Sequence, residues 1–354
     1  MEDKPTLPLQ LQIRKIQIRK TKIFDPADGF APLADPGNVT DCTVVKRGRQ
    51  WWMYAAGTVR GKPGVHLFSA SLPEGAPLAA TGWRLTPESN DASKIGLLAR
   101  YDASQAWDLK GGRHCPSYVK GWDAVRSAWV ERIYYAGGAD QLWGPYTIGY
   151  LEWDGSRWVD QPAPAFVAEE DWEHGSVYEP NLIFADGTWK LWYVAGSNHE
   201  DYLVHGFAES ADGRSHWTKH KMFAEPELKL FDFRVIESAS GYEAVFSRVW
   251  LGASAAPPET GLWWCHADRP FDELSKWSKP VQIMTAEDCG WHSGPWKPSA
   301  HFSETDSNRD PTRMFVFFDG VYRKNEPGPF PFAFTLGCIE LDHSELVEQD
   351  WFSV

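Results

Sequence analysis

One pattern returns along this chain and limits its fold more than any other feature. Four segments share a frame of a short apolar run, a polar turn and an aromatic-rich strand. They are DCTVVKRGRQWWMYAAG from Asp41, CPSYVKGWDAVRSAWVERIYYAGG from Cys115, EPNLIFADGTWKLWYVAGS from Glu179, and KPSAHFSETDSNRDPTRMFVFFDG from Lys297. A weaker fifth, DFRVIESASGYEAVFSR, starts at Asp232. The starts lie 74, 64, 53 and 65 residues apart, a spacing that suits one small sheet per repeat with loops of variable length.

Three repeats also share an approach: WDLKGGRHCP from Trp107, WEHGSVYEP from Trp172 and WHSGPWKP from Trp291 each place a Trp and a Gly before the Pro. After each aromatic strand comes another short strand and a turn, as in IGYLEWDGSRW (148–158), HGFAESADGRSHW (205–217) and GLWWCHADRPFDELSKW (261–277). Period-2 alternation with Asp, Gly, Ser and Asn in the turns reads as antiparallel β, and no long stretch has helical periodicity. The chain is expected to be all-β. Near the N-terminus, LQLQIRKIQIRKTKIF alternates at Leu9, Leu11 and Ile13 and again at Ile16 and Ile18, while the last repeat leaves room for only most of a sheet. That strand should close the ring against the C-terminal sheet, because closure removes exposed edges. The prediction is a five-bladed β-propeller of four-stranded antiparallel blades, a single domain over residues 1–354.

Composition removes several function classes. Lys+Arg 35 against Asp+Glu 48 gives a net charge of −13, which disfavours attraction to nucleic-acid phosphates or an anionic membrane. The five cysteines, Cys42, Cys115, Cys265, Cys289 and Cys338, include no CxxC pair, so reduced thiols are expected rather than a disulfide framework. No segment reaches the roughly 18 apolar residues of a membrane span, and the N-terminus lacks a secretory apolar stretch. A cytoplasmic location follows as the expectation. Twenty tryptophans are the outlier, serving a core or a platform for sugar C–H faces.

In a propeller the innermost strands line a central channel, so equivalent positions at their entrances form a ring. Asp41 lies ten residues before Trp51, Glu179 ten before Trp189 and Asp232 ten before Tyr242; Cys115 and Lys297 align when longer turns are allowed. Three carboxylates and an ammonium should therefore converge. Like charges in a poorly solvated pocket cannot all ionise, so one carboxyl stays protonated while another remains a base, the pairing that glycosyl transfer to water requires. The same acids could instead cap inner strands or accept backbone amides.

On these features the chain resembles the five-bladed propeller glycoside hydrolases, including families 43, 32, 62 and 130. The resemblance rests on the acid opening the first repeat (Asp41, with Asp35-Pro36 nearby), Glu179-Pro180 opening the third, and FAESADGRSHW at 207–217. It implies Asp41 as general base or nucleophile, with Asp35 an alternative, and Glu179 as general acid. Such enzymes usually add an Asp in the second blade that tunes the acid. Here that stretch is His114-Cys115-Pro116-Ser117, without a carboxylate. Asp232 could replace it from a later blade, and His114 could hold a polar group of the ligand. Arg234, Lys297 and nearby His292 could bind a carboxylate or phosphate, or form internal salt bridges with the acids.

Other constellations are weaker. His199-Glu200-Asp201 fits a rim loop. His114 with Cys115, and His292 with Cys289, lack a third ligand at fixed spacing, so no metal site is expected, nor is a cofactor. A Cys115–His nucleophile has no support beyond proximity. There is no GxxxxGK[ST], no strand-linked GxGxxG and no HExxH. Trp51, Trp52, Trp107, Trp172, Trp291 and Trp296 flank the ring; Trp51, Trp291 and Trp296 are candidates to line the pocket. The expectation is a glycosidase acting on a small-molecule or oligosaccharide substrate through Asp41, Glu179 and Asp232. The alternatives are a lyase or cyclase of secondary metabolism on the same propeller, and a non-catalytic carbohydrate-binding propeller.

Overall fold

The computed structural model describes residues 16–98, 107–108, 112–138, 144–196, 204–223, 230–238, 241–248, 258–270, 274–302, 313–322 and 334–346. Five four-stranded antiparallel sheets carry nearly all of its regular structure. The first blade runs from inside out as β2 (Thr40–Arg47), β3 (Gln50–Val59), β4 (Lys62–Leu72) and β5 (Arg84–Leu85), followed by a small hairpin of β6 (Pro87–Glu88) and β7 (Asp91–Ile95). The second is β8 (Gly112–Asp123), β9 (Ala128–Gly138), β10 (Tyr146–Trp153) and β11 (Trp158–Asp160). The third is β12 (Val177–Ala185), β13 (Thr188–Ala195), β14 (Val204–Ser210) and β15 (Thr218–Phe223). The fourth is β16 (Leu230–Ser238), β17 (Gly241–Arg248), β18 (Gly261–Ala267) and β19 (Val281–Thr285).

The fifth blade departs from chain order. It is β20 (Ser293–Phe302), β21 (Arg313–Val321), β22 (Thr335–Asp342) and, on its outer edge, β1 (Ile18–Phe24), which pairs antiparallel with β22 from Ile18↔Leu341 onward. The N-terminal strand thus closes the ring as expected, through residues 18–24; Leu9, Leu11 and Ile13 lie outside the described residues. Each inner strand packs on the next, and β20 returns to β2.

Apolar side chains fill the spaces between blades rather than a single centre. One cluster joins Met53 and Ala55 of the first blade to Phe315 and Phe317 of the fifth, and four others fill the remaining interfaces. A strand buried on both faces needs a near-continuous apolar run, which is what WWMYAAG and LWYVAG supply. Each fully buried large side chain contributes about 1.5–3 kcal/mol.

The repeated Trp has a local cause, in glycines of the following strands rather than the Gly of the shared approach. Trp107 lies over Gly137 and Gly149, and Trp291 over Gly320 and Gly337; a Cβ at any of these four glycines would come within 2.6–2.8 Å of an indole carbon. Trp291 also packs on Phe318 at a centroid distance of 4.8 Å. It therefore wedges onto its own blade. In the turn at 210–217, the Asp212 carboxylate accepts the backbone N–H groups of Arg214 and Ser215, and the Trp217 indole donates to Ala165 O. All five cysteines are free and buried.

Candidate active site

The five expected ring positions share one backbone signature. Asp41, Cys115, Glu179, Asp232 and Lys297 have φ values of 44°, 53°, 51°, 58° and 50°, and each sits inside a register shift between its inner strand and the next strand. A non-glycine residue in such a conformation costs on the order of 1–3 kcal/mol. A bulge bends the strand and re-aims its side chain, and here all five turn to one place. Below them, the inner strands are latched together: Tyr118 N donates to Thr43 Oγ1 at 3.4 Å, Leu182 N to Ser117 Oγ at 3.0 Å and Val235 N to Asn181 Oδ1 at 2.8 Å.

Lys297 organises the cluster. Its Nζ lies 2.8 Å from Asp41 Oδ1, 3.1 Å from Glu179 Oε1 and 3.4 Å from Cys115 Sγ. Burial is the largest influence and would raise both carboxyls, but the Lys297 ammonium, together with Asp319 and His114 on Asp41 and with Asp232 and Arg234 on Glu179, holds both below the usual carboxylate range. Burial would lower Lys297, but the surrounding acids, Asp41 foremost and Glu179 with it, together push the ammonium well up. The Cys115 thiol is pushed well up by burial and by Asp41, so it stays neutral; its N–H and thiol face Asp41 Oδ2 at 3.3 and 3.5 Å.

Two further carboxyls are pushed the other way. Asp232 is completely buried, and burial together with the adjacent Glu179 charge lifts it well above its ordinary value. Neither Asp232 oxygen has a hydrogen-bond donor among the described residues, and Glu179 Oε2 has only the Arg234 ion pair at 3.5 Å, so a proton on Asp232 would supply the bond between the two carboxyls. Burial likewise raises Asp319, followed by the effect of Asp41; Asp319 Oδ2 accepts from Asp41 N and from Thr40 Oγ1, both at 2.7 Å. These shifts favour a proton on Asp232 over its neighbour Glu179, the residue expected from the sequence to act as acid.

Arg234 stands two residues past Asp232 and faces the third blade. Its Nη1 donates to Pro180 O at 2.7 Å, and Nη2 lies 3.5 Å from Glu179 Oε2. His114 meets Tyr146 edge-on at 5.7 Å, and Tyr146 meets Tyr178 at 5.6 Å, giving an aromatic wall beside the ring. Trp296 adjoins Lys297, pairs across with Asp319 and packs edge-on against Phe334.

Three candidates lie elsewhere. The Asp35 carboxylate accepts Ile95 N at 2.9 Å, tying the entry loop to β7 outside the ring. Trp51 pairs with Lys46 toward the far end of β2 and meets His301 edge-on at 6.0 Å between blades. His292 is exposed ahead of β20. His199, Glu200 and Asp201 lie outside the described residues. Conversely, sequence reasoning missed Asp319. Its positional equivalents on the second strands, each opposite the residue before the ring position, are Ala56, Ala136, Val194 and Ser247, so a carboxyl in FFDG was the available signal.

No family model and no curated protein sequence matches this chain. Solved structures do. A family 117 glycoside hydrolase from the marine bacterium Zobellia galactanivorans superposes with a TM-score of 0.61 at 13% identity, covering 93% of this chain and 91% of its own. An α-L-arabinofuranosidase from Podospora anserina, in complex with cellotriose, gives 0.59 at 13% identity, with 93% and 98% covered. A thermostable family-43 glycoside hydrolase gives 0.57 at 18% identity, with 88% and 91% covered. What these likenesses share with the chain is the five-bladed propeller.

Proposed function

We propose that the axial cluster cleaves a glycosidic bond. The observation that carries this reading is the convergence, in one buried cluster beside Lys297, of three carboxyls whose proton affinities are pushed in opposite directions: Asp232 up by burial and the Glu179 charge, Asp41 and Glu179 down beside the ammonium. Asp232 and Glu179 act as a dyad sharing one proton, with Glu179 passing it to the leaving oxygen and Asp232 replenishing it. Asp41 is held too far down to be a strong base. A carboxylate that stays ionised suits attack on, or electrostatic stabilisation of, an oxocarbenium-like centre. Lys297 keeps Asp41 in that state, and Asp319 fixes its backbone. The fold shared with glycoside hydrolases supports the substrate class, an oligosaccharide or small glycoside.

The test is a panel of aryl furanosides and pyranosides, assayed with the wild type and with Asp41→Asn. Turnover of at least one substrate by the wild type, and its loss in the folded variant, is expected. Equal turnover by Asp41→Asn would remove Asp41 from the chemistry.

One observation favours a second reading. Cys115 stands where a second-blade carboxylate would sit, and its neutral thiol contacts both Lys297 and Asp41. Such a site suits a non-hydrolytic enzyme acting on a different small molecule, and uniform inactivity across the panel favours it.

A further inference from the structure

Beneath the ring the channel opens into a cavity of about 380 Å³, walled by the positions two residues past each ring residue: Thr43, Ser117, Asn181, Arg234 and Ser299. His301 lines its lower part. These positions present donors. Thr43 Oγ1 and Ser117 Oγ each accept a backbone N–H, which leaves their own hydroxyl protons to give. Asn181 uses its Oδ1 on Val235 N and keeps its amide N–H groups. Arg234 directs Nη1 to Pro180 O and Nη2 toward Glu179, leaving Nε buried without a hydrogen-bond partner among the described residues.

A buried guanidinium among donors repels a cation. The lining includes a single carboxylate, Glu237, and it is exposed. Burial pulls His301 down to about 4, so the imidazole adds no charge at neutral pH. Two features limit the anion that fits. Nε is the one Arg234 nitrogen without a partner among the described residues, Nη1 and Nη2 being engaged by Pro180 O and Glu179, so the guanidinium offers a single-nitrogen contact rather than a two-nitrogen fork, which suits a spherical ion better than a carboxylate or phosphate. The Glu179 carboxylate on the other side of the guanidinium makes a second negative charge costly.

We propose that this cavity binds a monovalent halide, chloride in ordinary buffers, through Arg234 Nε and the donors of Thr43, Ser117, Asn181 and Ser299. The site stands without the glycosidase reading, while its effect on the chemistry rests on that reading. Groups facing Glu179 are Lys297, Asp41, Asp232, Cys115, Tyr146 and Tyr178, with Arg234 the one that also lines the cavity. A halide beside Arg234 offsets part of the guanidinium charge that Glu179 feels. Glu179 then keeps a proton to higher pH, which favours its role as acid.

The test is thermal unfolding of the full chain in sodium chloride against sodium gluconate at equal ionic strength, for the wild type, Arg234→Gln and Ser299→Val. Binding to the folded state alone raises the transition with ligand concentration. Chloride should raise the wild-type transition above gluconate, and the difference should vanish in Arg234→Gln and shrink in Ser299→Val. If Arg234→Gln does not fold, Ser299→Val decides. Coincident wild-type curves, or a difference that survives the substitutions, overturns the proposal. A chloride response in a protein that cleaves no glycoside defeats the functional reading alone, and cleavage without a chloride response defeats this one alone.

Discussion

Asp319 Oδ2 accepts the backbone N–H of Asp41 at 2.7 Å, so a carboxyl that burial raises, on the second strand of the fifth blade, braces one that Lys297 helps to lower, on the first blade. The bond holds the backbone of a residue whose left-handed φ costs energy.

Asp319→Asn keeps an oxygen for both donors and never ionises. Because the folded-state value of Asp319 is raised, the stability it contributes is complete below about 3.9 and is lost as pH climbs toward the folded value. Asn suffers no such loss. The variant should therefore exceed the wild type in stability by a margin that grows from pH 5 to pH 8, about 1.4 kcal/mol for each unit by which the carboxyl is raised. Asp319→Ala leaves the buried Asp41 N–H unpaired, with Thr40 Oγ1 keeping only its 3.3 Å contact to Asp41 Oδ1, and should cost about 1–3 kcal/mol. Urea unfolding of both variants across that pH range checks the sign.

Lys297→Met removes the cation from between Asp41 and Glu179. Leaving buried charges uncompensated typically costs about 3–5 kcal/mol. Both carboxyls have depressed folded values, so the stability they lend is present above about 4 and is lost as pH falls through those values. The penalty of the substitution should accordingly be largest at neutral pH and smaller in acid. Denaturant midpoints at pH 7 and pH 4 measure it, with Lys297→Arg expected to retain most of the wild-type stability.

Gly337→Ala tests why glycine faces the repeated tryptophan. Its Cβ would meet Trp291 and Phe318 ring atoms at 2.7 Å. Overpacking of this kind costs about 1–3 kcal/mol, and combining it with Trp291→Phe should recover part of the loss in a thermal melt.

The ring was legible because its position keeps a fixed offset from the aromatic strand, which locates Asp41, Glu179 and Asp232 without any knowledge of the bulge. Cys115 and Lys297 followed from the same frame once longer turns were allowed. Asp35 misled because an Asp-Pro near a strand entrance looks like a ring acid, yet its carboxylate is used on Ile95 N. Trp51 misled because a strand has two ends, and this one places the indole away from the ring. Asp319 escaped notice because it comes from a second strand, outside the set of inner-strand entrances. Which carboxyl is raised and which lowered was not legible: that depends on which lies against Lys297, a distance set only by the closed ring.

The most direct measurement compares Glu179→Gln with the wild type on glycosides that share a sugar and differ in leaving group. Loss of a general acid typically costs about 100- to 10,000-fold, and that cost falls on leaving groups that need a proton. Release of a poor leaving group should drop within that range while release of a good one falls far less. An equal loss for both, or none for either, would contradict a proton delivered through Glu179.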